Sequence, residues 1–192
     1  MVFTGINYRE THFEFPELTM VCNEPTSESL FELRNELKAN ARSVCSSDLS
    51  DGNHGHLALV LSDAQCALLT ALPFIRPVFP VAIVIPPRTS GPVAAVSKES
   101  HQETLRLFRE VQGVEKALTQ QIVQAVESPH LSSIRDRDSN SLRGTAHDIL
   151  AHSQEVCGRV SPQMLEDRDN DLRSMVHNPQ QPIDVVFNAV ED

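Results

Sequence analysis

An all-α fold, a multi-helix bundle with a Pro-rich connection and at most a minor two-stranded element, is what this sequence predicts. Three observations carry the prediction. Apolar residues recur at three- and four-residue spacing through long stretches that contain no proline. Those stretches open on Ser, Thr or Pro, the residues that satisfy or tolerate the orphan N–H groups of a helix start. Six of the twelve prolines crowd between Pro73 and Pro92, which separates an N-terminal helical part, residues 25–72, from a C-terminal one, residues 93–192.

Residues 1–24 hold turn and strand formers without a sustained period and read as an extended N-terminal arm. Pro25 and Thr26 then open a helix whose Leu30, Leu33, Leu37, Ala41 and Val44 share a face. Residues 46–55 form a polar loop. The apolar run 56–61 fits either a strand or the start of a buried helix, because periodicity does not separate the two in so short a run. Ser62 and Asp63 cap a short helix reaching about Leu72. Proline excludes a helix and a central strand over most of residues 73–92, leaving an ordered connection. Its β-branched residues 81–85 are the exception and are suited to pair with 56–61.

The next helix is the strongest element. No proline interrupts the chain from about Val93 to Glu127, and Leu107, Val111, Val114, Leu118 and Ile122 trace its core stripe. Gly113 in mid-helix costs about 1 kcal/mol against Ala, which a close helix crossing explains. Ser128-Pro129 starts a short helix to about Arg137, and Thr145 with Asp148 makes a capping box for a helix ending near Val156, before Gly158. Ser161-Pro162 opens a further helix carrying Leu165, Leu172, Met175 and Val176. The break at residues 178–182 ends it. Beyond lie Ile183, Val186, Phe187 and Val190, at helical spacing, as a candidate interface or core stripe. Glu191 and Asp192 oppose the dipole of a helix ending there, so the chain is expected to be the edge of a longer polypeptide.

Hydrophobic residues make up 40% of the 192, enough for a core, and without Trp and with one Tyr that core is mostly aliphatic. A net charge of −10 argues against binding nucleic-acid phosphates over a broad surface, so weak RNA binding is expected. Cys22, Cys45, Cys66 and Cys157 are dispersed without any CxxC pair and read as buried, reduced thiols. A basic, apolar leader and a run of roughly 20 apolar residues are both missing, so an intracellular, soluble protein without membrane contact is expected.

No catalytic constellation emerges. His54 and His56 would share one face of a strand as two metal ligands, but a third ligand at useful spacing is lacking. His147 and His152 stand five apart, about 140° around a helix. Gly52 and Gly55 have the spacing of a KH-type clamp, yet no Lys or Arg adjoins them and Asp51 precedes them, so they read as a plain turn. Asp167, Asp169 and Asp171 resemble the opening of a calcium loop, but Leu172 stands where its Gly belongs and Asn178 where its bidentate Glu belongs. No phosphate-cradling or nucleophile-elbow motif occurs, and no cofactor is expected.

Several segments together carry a resemblance. They are residues 33–41 (LRNELKANA), 55–60 (GHLALV) with 65–69 (QCALL), 105–111 (LRLFREV) with 115–118 (EKAL) and 121–123 (QIV), and a tail of 160–165 (VSPQML) and 178–188 (NPQQPIDVVFN). Their order and spacing resemble the capsid-like Gag region of copia-type retrotransposons in algal and protist genomes, over roughly residues 28–192. The resemblance implies a capsid-like helical bundle that self-associates into a cytoplasmic particle enclosing the element's RNA. It further implies no enzymatic activity, and RNA contact through a C-terminal continuation carrying a zinc knuckle. The sequence departs from the family at residues 46–50, where a glycine-rich turn is usual, and at Ala151, His152, Ser153 and Cys157, where larger apolar residues are usual. The alternative is a host-encoded helical adaptor that binds other proteins and never assembles.

Overall fold

The computed structural model describes residues 6–22, 25–45, 49, 52–70, 72–157, 166 and 170. The chain divides into two compact units, Met1–Gly158 and Arg159–Asp192. Apart from Glu166 and Asn170, the second unit lies outside the described residues, and so does the stripe of Ile183, Val186, Phe187 and Val190. The first unit is all-helical. Its described residues contain helices, two 3₁₀ turns and two isolated bridges, and no strand.

Helix α1, Tyr8–Thr11, is a single turn, and α2 runs Ser27–Ser43. The start of α2 is a reciprocal cap: Thr26 Oγ1 accepts from the Ser29 N–H at 3.1 Å and Ser29 Oγ accepts from the Thr26 N–H at 3.0 Å. Leu30, Leu33, Leu37 and Ala41 are buried on its inner face. A reversal at Gly55 brings the His56 N–H onto the Ala41 carbonyl at 2.8 Å, satisfying one of the orphan acceptors of the helix end. A 3₁₀ turn, Leu57–Leu59, follows, and then α3, Asp63–Leu69, under a cap made by Ser62 and Gln65. Helix α3 stops three residues short of the expected Leu72, because Thr70 turns its N–H and its hydroxyl back onto the Cys66 carbonyl.

Helix α4, Gly91–Ala125, is the long one, and Pro92 sits in its first turn, where a missing N–H is harmless. Val111, Val114, Leu118 and Ile122 are buried, while Leu107 is half-buried against the same core. Gly113 faces the ring of Tyr8 from α1: a Cβ there would lie 2.7 Å from Tyr8 Cε2, so the close approach involves a single-turn helix. The segment after Glu127 is a 3₁₀ turn, Ser128–Ile134, in place of the expected α-helix to Arg137. Helix α5, Ala146–Cys157, starts where Asp148 Oδ2 accepts from the Thr145 N–H at 2.8 Å and Thr145 Oγ1 accepts in return from the Asp148 N–H.

Two expectations need correction. Residues 1–24 are not simply an extended arm: beyond α1, Phe13, Leu18 and Val21 are buried in the common core, and the Val21 N–H donates to the Ala125 carbonyl at 2.8 Å. Residues 56–61 and 81–85 do not pair. The first commits its backbone to the 3₁₀ turn, and proline flanks the second at 80 and 86. Within the first unit α2 packs on both α4 and α5, and one core runs from Tyr8 to Leu150.

Candidate assembly surface

Helix α4 is longer than the core it serves. Thirty-five residues at 1.5 Å each make about 52 Å, yet its contribution to the core begins only near Leu107. Its first part, roughly residues 91–106, stands mostly in water, with Val93 and Val96 exposed.

The Pro-rich connection runs back along this helix. Arg76 Nη1 meets Glu115 Oε1 at 3.1 Å, and the Phe79 ring meets Phe108 edge-on with centroids 5.3 Å apart. Three residues of connection therefore cover seven of helix, about 10.5 Å, which requires an extended backbone near 3.3 Å per residue. The conformation follows from the sequence: each proline fixes its own φ and pushes its predecessor toward extended geometry. At the far end Thr89 N–H and Oγ1 both donate to the Pro86 carbonyl, and Arg88 adopts φ 74°, closing the turn into α4.

The connection and the start of α4 together form an arm with apolar side chains in water. Val81 is 87% exposed, Val84 85% and Val78 80%, with Leu72, Ile75 and Phe79 also exposed. Singly such residues are ordinary; here they follow one another along one stretch of chain. Residues 64–98 contain no Asp or Glu and three cations, Arg76, Arg88 and Lys98, in a chain of net charge −10. The remainder of the molecule therefore carries all the excess negative charge.

The histidines expected as a metal pair serve the fold. His56 is fully buried in a turn, with Nδ1 3.1 Å from the Val44 carbonyl, so Nδ1–H donates and Nε2 is left without a hydrogen bond. Nε2 lies 3.6 Å from Glu110 Oε1. Burial lowers the His56 pKa, against the Val44 hydrogen bond and the Glu110 charge, which raise it. His147 and His152 on α5 make separate contacts, Nδ1 to the Val60 carbonyl at 3.2 Å and Nε2 to Ser133 Oγ at 2.8 Å. No group of three or more His, Cys, Asp or Glu is placed to hold a metal ion among the described residues. Gly52 and Gly55 both have positive φ and shape a turn.

The thiols depart from expectation. Cys66 is buried, but Cys22 and Cys45 are exposed, because each follows the last core residue of its segment, Val21 and Val44. Burial, and then the Asp63 charge, push the Cys66 thiol up, away from reactive thiolate.

Two open clefts flank α3. The larger, about 1030 Å³, is lined in part by Asp63, Cys66, Arg76, Thr145, His147 and Asp148. Its Arg76 is paired with Glu115, its His147 is bonded to Val60, and its Asp148 caps α5, so these three are engaged in the structure. The smaller, about 450 Å³, has Leu57, Leu61, Leu68 and Leu69 beside Lys38 and Arg42. Neither presents an activated nucleophile or an acid–base pair. No described helix is long and apolar enough to cross a membrane. Compared with protein-family models, with curated proteins and with solved structures, the chain matches none.

Proposed function

We propose that this chain is a structural protein of the capsid-like Gag type, which self-associates into a cytoplasmic particle around its element's RNA and performs no catalysis. The observation that supports it best is the exposed apolar surface of residues 78–96, Val78, Phe79, Val81, Val84, Val93 and Val96, within a stretch, 64–98, that carries no carboxylate in a chain of net charge −10. An enzyme of this size concentrates titratable groups in a cleft. Here the larger cleft's Arg76, His147 and Asp148 are engaged in an ion pair, a hydrogen bond and a cap, and the conspicuous exposed surface is hydrophobic. RNA enters through a C-terminal continuation, since the net charge of −10 disfavours phosphate contact by this chain itself.

Light scattering and electron microscopy of the purified 192-residue chain across a concentration series test the reading. Particles or defined oligomers growing with concentration are expected. A protein that stays monomeric at the highest attainable concentration would sink it and favour a host adaptor that offers the same arm to a different protein.

A further inference from the structure

We infer that the arm docks on the arm of a second copy through antiparallel pairing of residues 81–85, centred on Ile83. This rests on the self-assembly proposed above and names the contact that carries it.

Four observations on the arm point to a second copy as the occupant. First, the backbone N–H and C=O groups of 81–85 make no hydrogen bond within the described residues, so they stand open to a partner strand. Second, the segment complements itself. Antiparallel pairing about Ile83 sets Val81 against Ile85, Ala82 against Val84 and Ile83 against its counterpart, β-branched side chains meeting on a pleated surface. Third, charge selects this place. Two bodies of charge −10 repel wherever their acidic surfaces face each other, and residues 64–98 bring no carboxylate of their own to a contact, only Arg76, Arg88 and Lys98.

Fourth, the prolines limit the pairing. Pro77, Pro80, Pro86 and Pro87 lack N–H groups, so the ladder cannot extend far beyond five residues, and it favours a discrete pair over a growing sheet. Five residues a side do not reach the roughly 1,200 Å² of a stable interface. The exposed Val78, Phe79, Val93 and Val96 beside the strand must therefore be covered too, which makes the contact helix-backed and individually weak. Weak pairwise contacts gain strength by repetition in a particle.

Cysteine cross-linking of the full chain tests the register, in a background with Cys22, Cys45 and Cys157 changed to Ser. Opposed positions of an antiparallel ladder lie about 4.5–5.5 Å apart between Cα atoms, within disulfide reach. Ile83→Cys is expected to cross-link with itself, and Val81→Cys to cross-link with Ile85→Cys in a mixture but not alone. Val84→Asp places a carboxylate in the pair and is expected to raise the concentration at which assembly begins at least tenfold, with an unchanged melting temperature. Val81→Cys cross-linking with itself as readily as with Ile85→Cys would overturn the antiparallel register. Undiminished assembly of Val84→Asp, with none of the cysteines cross-linking, would overturn the arm contact and leave self-assembly standing. A parent chain that never assembles would remove both.

Discussion

A methyl group added at Gly55 has nowhere to go. The residue holds φ at +51°, and a Cβ would lie 2.5 Å from the carbonyl oxygens of both Arg42 and Val44, backbone atoms that cannot step aside. Strain in the left-handed region and overpacking each cost about 1–3 kcal/mol. Gly55→Ala is therefore expected to lose roughly 2–4 kcal/mol in urea denaturation; a loss below 0.5 kcal/mol would mean that the reversal after α2 is slack. The next residue sets a pH limit. His56 faces the Val44 carbonyl, the Glu110 carboxylate and, edge-on at 6.1 Å, the Phe74 ring, and its burial lowers its pKa in the fold. The unfolded chain then takes up a proton that the fold resists. Stability from this group is complete above about pH 6.5 and is lost as pH falls below it toward the lower folded value. The carboxylates held down by hydrogen bonds act at lower pH. Asp136, drawn to about 2 by the Ser139 N–H, then Arg143 and then the Asp138 N–H, is one, and Asp148 is another. Unfolding free energy measured between pH 5 and 7.5 is thus expected to slope downward with acid in the parent chain and to flatten in His56→Gln. Parallel curves would assign the slope to another group.

Two helices and the N-terminal segment are joined by a buried amide latch. Asn40 on α2 accepts from the Phe15 N–H at 2.7 Å, donates to the Phe15 carbonyl at 2.8 Å and donates to Gln121 Oε1 on α4 at 2.9 Å. Gln121 in turn donates to the Phe15 and Pro16 carbonyls at 2.8 and 3.2 Å. Truncating one member strands the others without water, at about 1–3 kcal/mol per buried group. Asn40→Ala should lose about 2–4 kcal/mol and expose residues 13–21 to protease well before α2 and α4 unfold. Cleavage that appears only with global unfolding would show that the latch does not hold the segment. The latch also shows what was legible in the sequence. The apolar faces of α2 and α4 and the Thr26, Ser62 and Thr145 caps of α2, α3 and α5 could be read directly, because period and capping are local properties. Asn40 and Gln121 show in the sequence only as polar residues falling on those apolar faces. Residues 13–21 carry no period because their burial comes from side chains distant in sequence. The 3₁₀ turn at 57–59 and the unpaired 81–85 were out of reach for a related reason: a short apolar run states that it is apolar and leaves its partner unspecified. The proline crowding foretold a non-helical connection but not that it would lie along α4 as part of an arm.

Along the whole chain one apolar stretch is free of carboxylates while the net charge is −10, and this sets how its association should respond to solution conditions. The carboxylate-free stretch 64–98 contains the extended part of the arm, and the excess acidic residues lie elsewhere in a chain of net charge −10. For RNA, binding by this chain alone should remain weak, above about 10 μM at physiological salt, because few cations are available to release counterions. Sub-micromolar affinity that falls steeply with salt would reveal a basic site. For self-association the sign reverses. The attraction comes from burying Val78, Phe79, Val81 and Val84, which salt does not screen, whereas the opposition comes from like-charged bodies, which salt does screen, over about 10 Å at 0.1 M. Raising the ionic strength from about 0.05 to about 0.5 M should therefore lower the protein concentration at which assembly begins. Cooling should raise it, since apolar burial weakens toward low temperature. Both trends can be followed in one light-scattering experiment on the full chain. Assembly that dissolves as salt rises would mean that ion pairs hold the copies together, and the contact would then have to be sought among the charged faces of the body instead of on the arm.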